Sequence, residues 1–124
     1  MALLADIEKM FLQVLLVNKD RDSHRYLWRD LDLDVAQTVY QITRVTFGVV
    51  ASPFLATCTT QEHVRQHEKK FPEASVEILR NTYVNDLATG RDDINEALTL
   101  QQNLKDVLNR GGFYLTKWSS TRLK

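Results

Sequence analysis

The pattern of apolar and polar positions divides the chain into short strands and longer helices. An apolar run at residues 2–7 and a closing segment at 113–118 have the composition of strands. Two segments rich in aromatic and β-branched residues, 24–30 and 38–47, predict a pair of strands joined by an acidic loop. Residues 8–15 are expected to form a short helix or to continue the first strand.

Two helices are predicted to begin at the prolines. Ser52 is suited to cap a helix whose first turn contains Pro53, and that helix is expected to run to about Lys70. Pro72 is expected to open a second, shorter helix that ends near Arg80.

A third helix is predicted between an acidic cap and a glycine pair. Asp93 and Glu96 have the spacing of a capping box, and Gly111-Gly112 is expected to end the helix. Its predicted buried face follows the helical period. That face consists of Ile94, Ala97, Leu98, Gln101, Leu104 and Leu108.

Residues 82–89 predict two short strands around a two-residue turn at Asn85-Asp86. Asn tolerates the positive φ of a type I′ turn, so a plain hairpin explains this stretch without any function. The whole order of elements, β-α-β-β-α-α-β-β-α-β, predicts an α+β domain. An antiparallel or mixed sheet would carry helices on one face.

Composition predicts a folded single domain. The chain has 124 residues, of which 44% are hydrophobic and 26% charged, enough to build a core. Sixteen basic residues balance sixteen acidic ones, and this neutrality argues against a small stand-alone nucleic-acid-binding domain.

The sequence also predicts the compartment. Cys58 is the single cysteine and cannot form an internal disulfide, which fits a reducing environment. No apolar stretch is long enough to span a bilayer, and no signal-peptide pattern is present. We therefore expect an intracellular protein, cytoplasmic or nuclear, that is not secreted and has no membrane partner.

Two acidic positions are candidates for metal chemistry. Asp6 lies at the end of the first strand, and Asp86 lies at the hairpin turn. Phosphoryl transfer commonly uses carboxylates that hold two Mg²⁺ ions ~3.5–4 Å apart. Taken alone, Asp6 is better explained as an ordinary residue at a strand end.

Four motifs together resemble the palm of a reverse transcriptase, most closely that of BEL/Pao-type LTR retrotransposons. They are "ADIEKMF", "QITRVTFGVVASPFLA", "YVND" and "GGFYLTKWSS", they follow the family's order, and they cover nearly the whole chain. The resemblance implies an antiparallel sheet with helices on one face and a ferredoxin-like core. It also implies that residues 1–124 are a palm fragment lacking the start of the fingers, the thumb and the ribonuclease H region.

The activity implied by the resemblance is RNA-directed DNA polymerisation, a nucleotidyl transfer. A primer 3′-hydroxyl would attack the α-phosphate of a dNTP with two Mg²⁺ ions bound. The partners implied are an RNA or DNA template-primer, a dNTP and the other domains of a polyprotein. Basic contacts to nucleic acid would lie in those other domains, which is consistent with the neutral charge of this chain.

The resemblance assigns the metal ligands and one further catalytic residue. Asp6 and Asp86 would bind metal through their carboxylates, Ile7 through its backbone carbonyl, and Asn85 as a weakened ligand. Lys117 would lie near the leaving pyrophosphate.

The resemblance also assigns residues that contact the nucleotide. Phe11 would lie under the sugar and reject a 2′-hydroxyl, and Phe47 and Gly48 would lie against the incoming nucleotide and the template. Tyr83, the first residue of the hairpin motif, belongs to the same group. Without the motifs, both phenylalanines are explained as core aromatics.

The hairpin departs from the family pattern at one metal ligand. The family has Tyr-x-Asp-Asp where this chain has "YVND", so Asn85 replaces a ligand aspartate. Asn offers a carbonyl oxygen but no charge. We therefore expect weakened Mg²⁺ binding and little or no activity. The alternative is a non-catalytic palm fragment that persists as an inert or protein-interaction domain.

Cys58, His63 and His67 suggest a different metal, zinc. The two histidines lie four residues apart on one helix face. No fourth ligand has suitable spacing, and charged residues surround them, so a solvated face is the favoured interpretation.

Overall fold

The computed structural model describes residues 1–121, which form six strands and three helices. Short 3₁₀ turns at Phe11–Gln13 and Asn18–His24 follow the first strand. In chain order the elements are β1 (Ala2–Ile7), β2 (Arg25–Trp28), β3 (Thr38–Gln41), α1 (Ser52–Gln66), α2 (Pro72–Asn81), β4 (Thr82–Tyr83), β5 (Asp86–Gly90), α3 (Ile94–Asn109) and β6 (Leu115–Ser120).

Strand β1 lies inside a four-stranded antiparallel sheet with the order β4-β5-β1-β6. Its side chains alternate, so that Leu3, Ala5 and Ile7 are buried while Leu4 is half exposed. The predicted α+β class with an antiparallel sheet is therefore confirmed.

One apolar cluster joins the sheet to all three helices. Ile7 of β1 and Leu87 of β5 are buried together with residues of α1, α2 and α3, including Val64, Ile78 and Leu104. These positions form the core because burying apolar side chains removes their surface from water. None of the helices within residues 1–121 is long and apolar enough to cross a membrane.

The start and the end of α1 differ from the prediction. Ser52 is the first helical residue and is buried, while Ala51 holds the cap position without a side-chain hydrogen bond, so the predicted serine cap is wrong. The helix ends at Gln66, because the chain leaves helical geometry at His67 and turns before α2 begins.

Helix α3 begins as predicted but presents a partly different face. The side chain of Asp93 accepts a hydrogen bond from the backbone N–H of Glu96 at 3.1 Å, which confirms the cap. Ile94 and Leu98 are exposed, however, because the surface that meets the core is rotated relative to the predicted one. The buried residues are Ala97, Leu100, Leu104, Val107 and Leu108.

Strands β2 and β3 pair with each other and stand apart from the main sheet. All eight of their residues are exposed, and Tyr26 stacks on Tyr40 with ring centroids 5.4 Å apart. Both predicted strands are present but shorter than expected, because beyond Gln41 the chain leaves β2 and Arg44 forms an isolated antiparallel bridge with Leu15.

A charged cluster ties α2 to the end of β5. The guanidinium of Arg91 forms ion pairs with Glu73 and Glu77 of α2. Thr89 and Asn81 also donate hydrogen bonds to Glu77. Partial burial raises the pKa of Glu77, but hydrogen bonds from Thr89, Arg91 and Asn81 outweigh it, so the pKa lies below its ordinary value.

We expect Glu77→Gln to lower the free energy of unfolding by about 1 kcal/mol at pH 7. A carboxylate with a lowered pKa stabilises the fold above its ordinary pKa, and that contribution disappears as the pH falls through the lowered value. Urea unfolding at pH 7 and pH 3 should therefore show a difference from wild type that shrinks at pH 3. Glu68→Gln, at an exposed position, is the control and should change little at either pH.

Candidate functional site

The two predicted carboxylates lie opposite each other on neighbouring strands. Asp6 of β1 pairs with Asp86 of β5 in the antiparallel register. Directly opposed residues project to the same face of a sheet, with Cβ atoms ~4.5–5.5 Å apart. Their neighbours Ile7 and Leu87 are buried on the core side, so the two aspartates share the face that points away from the helices.

The hairpin turn lies one residue earlier than the sequence predicted. Tyr83 pairs with Asp86, which leaves Val84 and Asn85 as the two loop residues. The positive φ belongs to Val84, at 53°, and Asn85 is not among the residues with positive φ, so the predicted role of Asn in a type I′ turn is wrong. Left-handed geometry is costly for a β-branched residue, by ~1–3 kcal/mol, and packing of Val84 against the core opposes that strain.

Both carboxylate oxygens of Asp6 have a side-chain donor. The amide nitrogen of Asn85 donates to Oδ1 at 2.8 Å, and the ammonium of Lys117 lies 3.2 Å from Oδ2. The Asp6 side chain is 20% exposed, whereas that of Lys117 is 79% exposed. The structure therefore brings three predicted site residues into direct contact, with Asn85 acting as a donor instead of a ligand.

An irregularity between β1 and β6 brings Lys117 to this position. Leu4 pairs with Ser119 but Asp6 pairs with Thr116, so β6 contains one residue more than β1 across this interval. Lys117 lies inside the interval and has a φ of 53°. Such a bulge redirects a side chain, and here Lys117 reaches the face that carries Asp6.

A cavity of about 510 Å³ opens beside the aspartate. Its apolar wall includes Val84, the buried Phe11 and the exposed Phe47, and the two phenylalanine rings lie 4.9 Å apart. The polar end of the cavity carries Asp6, Asn85 and Lys117. This combination could hold a ligand that has a flat or apolar part and a charged part.

The remaining predicted residues lie around this cavity. Ile7 lines it, although its side chain is buried in the core. Gly48 follows Phe47 with a φ of 83°, a conformation that glycine adopts without strain. Gly48, Tyr83 and Asp86 are outside the set of described residues that line the cavity, and Tyr83 is 81% exposed.

The candidate metal ligands in this part of the sheet are few. Mg²⁺ is usually bound by one or two carboxylates together with water and substrate phosphates, and Asp6 and Asp86 could supply those carboxylates. Within residues 1–121, however, no group of three or more His, Cys, Asp or Glu residues could hold a metal ion. The amide nitrogen of Asn85 faces Asp6, so its carbonyl oxygen is directed elsewhere.

The histidines considered as zinc ligands bond to main-chain oxygens. His63 donates from Nε2 to the carbonyl of Val107 at 2.7 Å, and His67 donates from Nδ1 to the carbonyl of His63 at 2.9 Å. These bonds fix both rings against the helices.

Comparison with known proteins does not assign the chain to a family. A scan against models of protein families and a search of curated proteins both found no match. The likeness to a reverse transcriptase palm therefore depends on the four sequence motifs.

Two contacts of Asp6 in the structure are not predicted by the sequence. The ion pair with Lys117 and the hydrogen bond from Asn85 join residues 111 and 79 positions apart. The family resemblance implies a position for Lys117 near a leaving group, not against a carboxylate. The only signal in the sequence was the occurrence of an amide and a lysine in motifs that also contain the candidate ligands.

We expect Asn85→Asp to lower the melting temperature in EDTA more than Asn85→Ala does. The alanine variant loses only the hydrogen bond to Asp6, worth about 1 kcal/mol, whereas the aspartate variant adds like-charge repulsion. Mg²⁺ should restore more stability to Asn85→Asp than to Asn85→Ala, because only the aspartate variant adds a negative charge that the cation can offset. Equal melting temperatures for the two variants in EDTA would contradict this account of the contact.

Proposed function

We propose that the chain is the palm segment of an RNA-directed DNA polymerase of the BEL/Pao retrotransposon type, with a catalytic centre impaired at Asn85. The observation that carries the proposal is the register that sets Asp6 opposite Asp86 on the open face of the sheet. Residues from distant motifs, including Phe11, Phe47 and Lys117, line the cavity at the same end of the sheet.

The proposal assigns a role to each residue of the site. Asp6 and Asp86 bind the divalent cation, which when present stabilises the charge that develops on the phosphoryl oxygens. Phe11 forms the wall against which the sugar of the dNTP would rest, and Phe47 extends that wall towards solvent. Lys117 is close enough to Asp6 to act on a phosphate group bound beside it.

The proposed impairment has two causes, the neutral charge of Asn85 and its hydrogen bond to Asp6. Asn85 supplies no negative charge, and removal of one well-placed electrostatic group commonly slows catalysis by roughly 10²–10³. In addition, Asn85 donates a hydrogen bond to Asp6. The side chain at the position of a metal ligand therefore occupies an oxygen of Asp6 that would otherwise be free to bind metal.

A second candidate is a non-catalytic domain that is inert or binds another protein. The observation that favours it is that each carboxylate oxygen of Asp6 has a side-chain donor from this chain, Asn85 for one and Lys117 for the other. A carboxylate satisfied in this way does not need a cation for stability.

Thermal unfolding with increasing Mg²⁺ separates the two candidates. If the metal site is functional, Mg²⁺ should raise the melting temperature and Asp6→Ala should abolish the rise, because a ligand that binds only the folded state stabilises it. Glu68→Gln is the control, because it removes a carboxylate far from the site in sequence. A melting temperature that does not change with Mg²⁺ would favour the non-catalytic candidate.

Primer extension tests the polymerase assignment directly. In a protein that includes this segment and the domains encoded beside it, Asn85→Asp should raise incorporation of dNTPs by roughly 10² or more, because it restores the metal-ligand charge. Asp6→Ala in the same background should remove the gain. Equal incorporation with Asn85 and with Asp at this position would refute the proposed impairment.

A further inference from the structure

We propose that Lys117 is a built-in counter-cation for the Asp6–Asp86 pair, and that it competes with a divalent cation for Asp6. The inference deepens the proposed metal site and depends on that site, but it does not depend on polymerisation. It concerns a contact that the chain makes by itself.

The electrostatic need for a cation follows from the register. Two like charges directly opposite each other on neighbouring strands destabilise the sheet. Within residues 1–121, the Asp86 carboxylate has no hydrogen-bond or ion-pair partner, whereas Asp6 has two. Lys117 is the only one of these partners with a positive charge, so it offsets the repulsion between the aspartates.

The backbone supports a specific placement of this lysine. Lys117 lies in the irregular part of the β1–β6 pairing with a φ of 53°, a conformation that residues other than glycine rarely adopt. Regular pairing would set residue 117 opposite Asp6, but the extra residue sets Thr116 there instead. The strained backbone conformation therefore occurs at the residue whose ammonium contacts Oδ2 of Asp6.

Competition with a metal follows from geometry. Lys117 occupies one oxygen of Asp6 and Asn85 occupies the other. A divalent cation that binds Asp6 must displace the ammonium or tolerate a positive charge beside it. Either event weakens metal binding. The lysine side chain is 79% exposed, so displacement into solvent requires no unfolding.

Metal titrations of variants of the full chain test the inference. Thermal unfolding at increasing Mg²⁺, and separately Mn²⁺, gives an apparent dissociation constant. Lys117→Met should bind about five- to tenfold more tightly than wild type, the range expected for loss of an exposed ion pair and of nearby repulsion. Lys117→Arg keeps the charge and should bind like wild type. The double variant Asp6→Asn with Lys117→Met should lose the gain.

A matched control separates the contact from a general change of charge. Lys9 lines the same cavity without a bond to Asp6 among the described contacts, so Lys9→Met removes the same charge and should gain much less affinity. In EDTA, Lys117→Met should melt below wild type by about 2–4 °C, because the aspartates then repel each other without a counter-cation. Lys9→Met should not.

Each possible result bears either on the role of Lys117 or on the metal site itself. The inference is overturned if Lys117→Met binds metal no more tightly than wild type, if Lys9→Met gains as much, or if the gain survives loss of the Asp6 charge. If Asn85→Asp responds to Mg²⁺ and Lys117→Met does not, the metal site stands and only the role of Lys117 is wrong. If neither responds, the metal site of the proposed function fails as well.

Discussion

The antiparallel register of β1 with its two neighbours is the constraint on which the site depends. Pairing with β5 sets Asp6 opposite Asp86, and pairing with β6 brings Lys117 to the same place. A shift of one residue in a strand moves every side chain to the other face. The buried residues Ile7 and Leu87 prevent that shift, because it would expose them and bury the two aspartates. The packing of the core therefore also fixes the geometry of the site.

The electrostatics of the site depend on the neutral side chain at position 85. Asn85 of the hairpin donates a hydrogen bond to Asp6 and adds no negative charge beside it. The Asp6 carboxylate also contacts the ammonium of Lys117, so both of its oxygens are occupied. These contacts stabilise the sheet and at the same time reduce the advantage that a metal ion gains by binding. The same contacts are therefore compatible with an impaired polymerase palm and with a domain that has lost catalysis.

The fold was predictable where local chemistry decides it. The Asp93 cap, the glycine pair after α3 and the proline starts of α1 and α2 all lie where the sequence predicted them, because capping and φ restriction act within a few residues. The predictions failed where tertiary packing determines which side chains of a helix are buried. Leu98 is exposed and Ser52 is buried, since the surface that α1 and α3 present depends on the sheet beneath them.

The sequence by itself determined the class of fold, the two carboxylates at Asp6 and Asp86, and the neutral residue at position 85. Only the tertiary structure decided that Val84 carries the positive φ, that the Asn85 amide donates to Asp6, and that an extra residue in β6 directs Lys117 onto it. The physical reason is distance along the chain. These contacts join residues 79 and 111 positions apart, and their geometry is set by strand register, which no local pattern encodes.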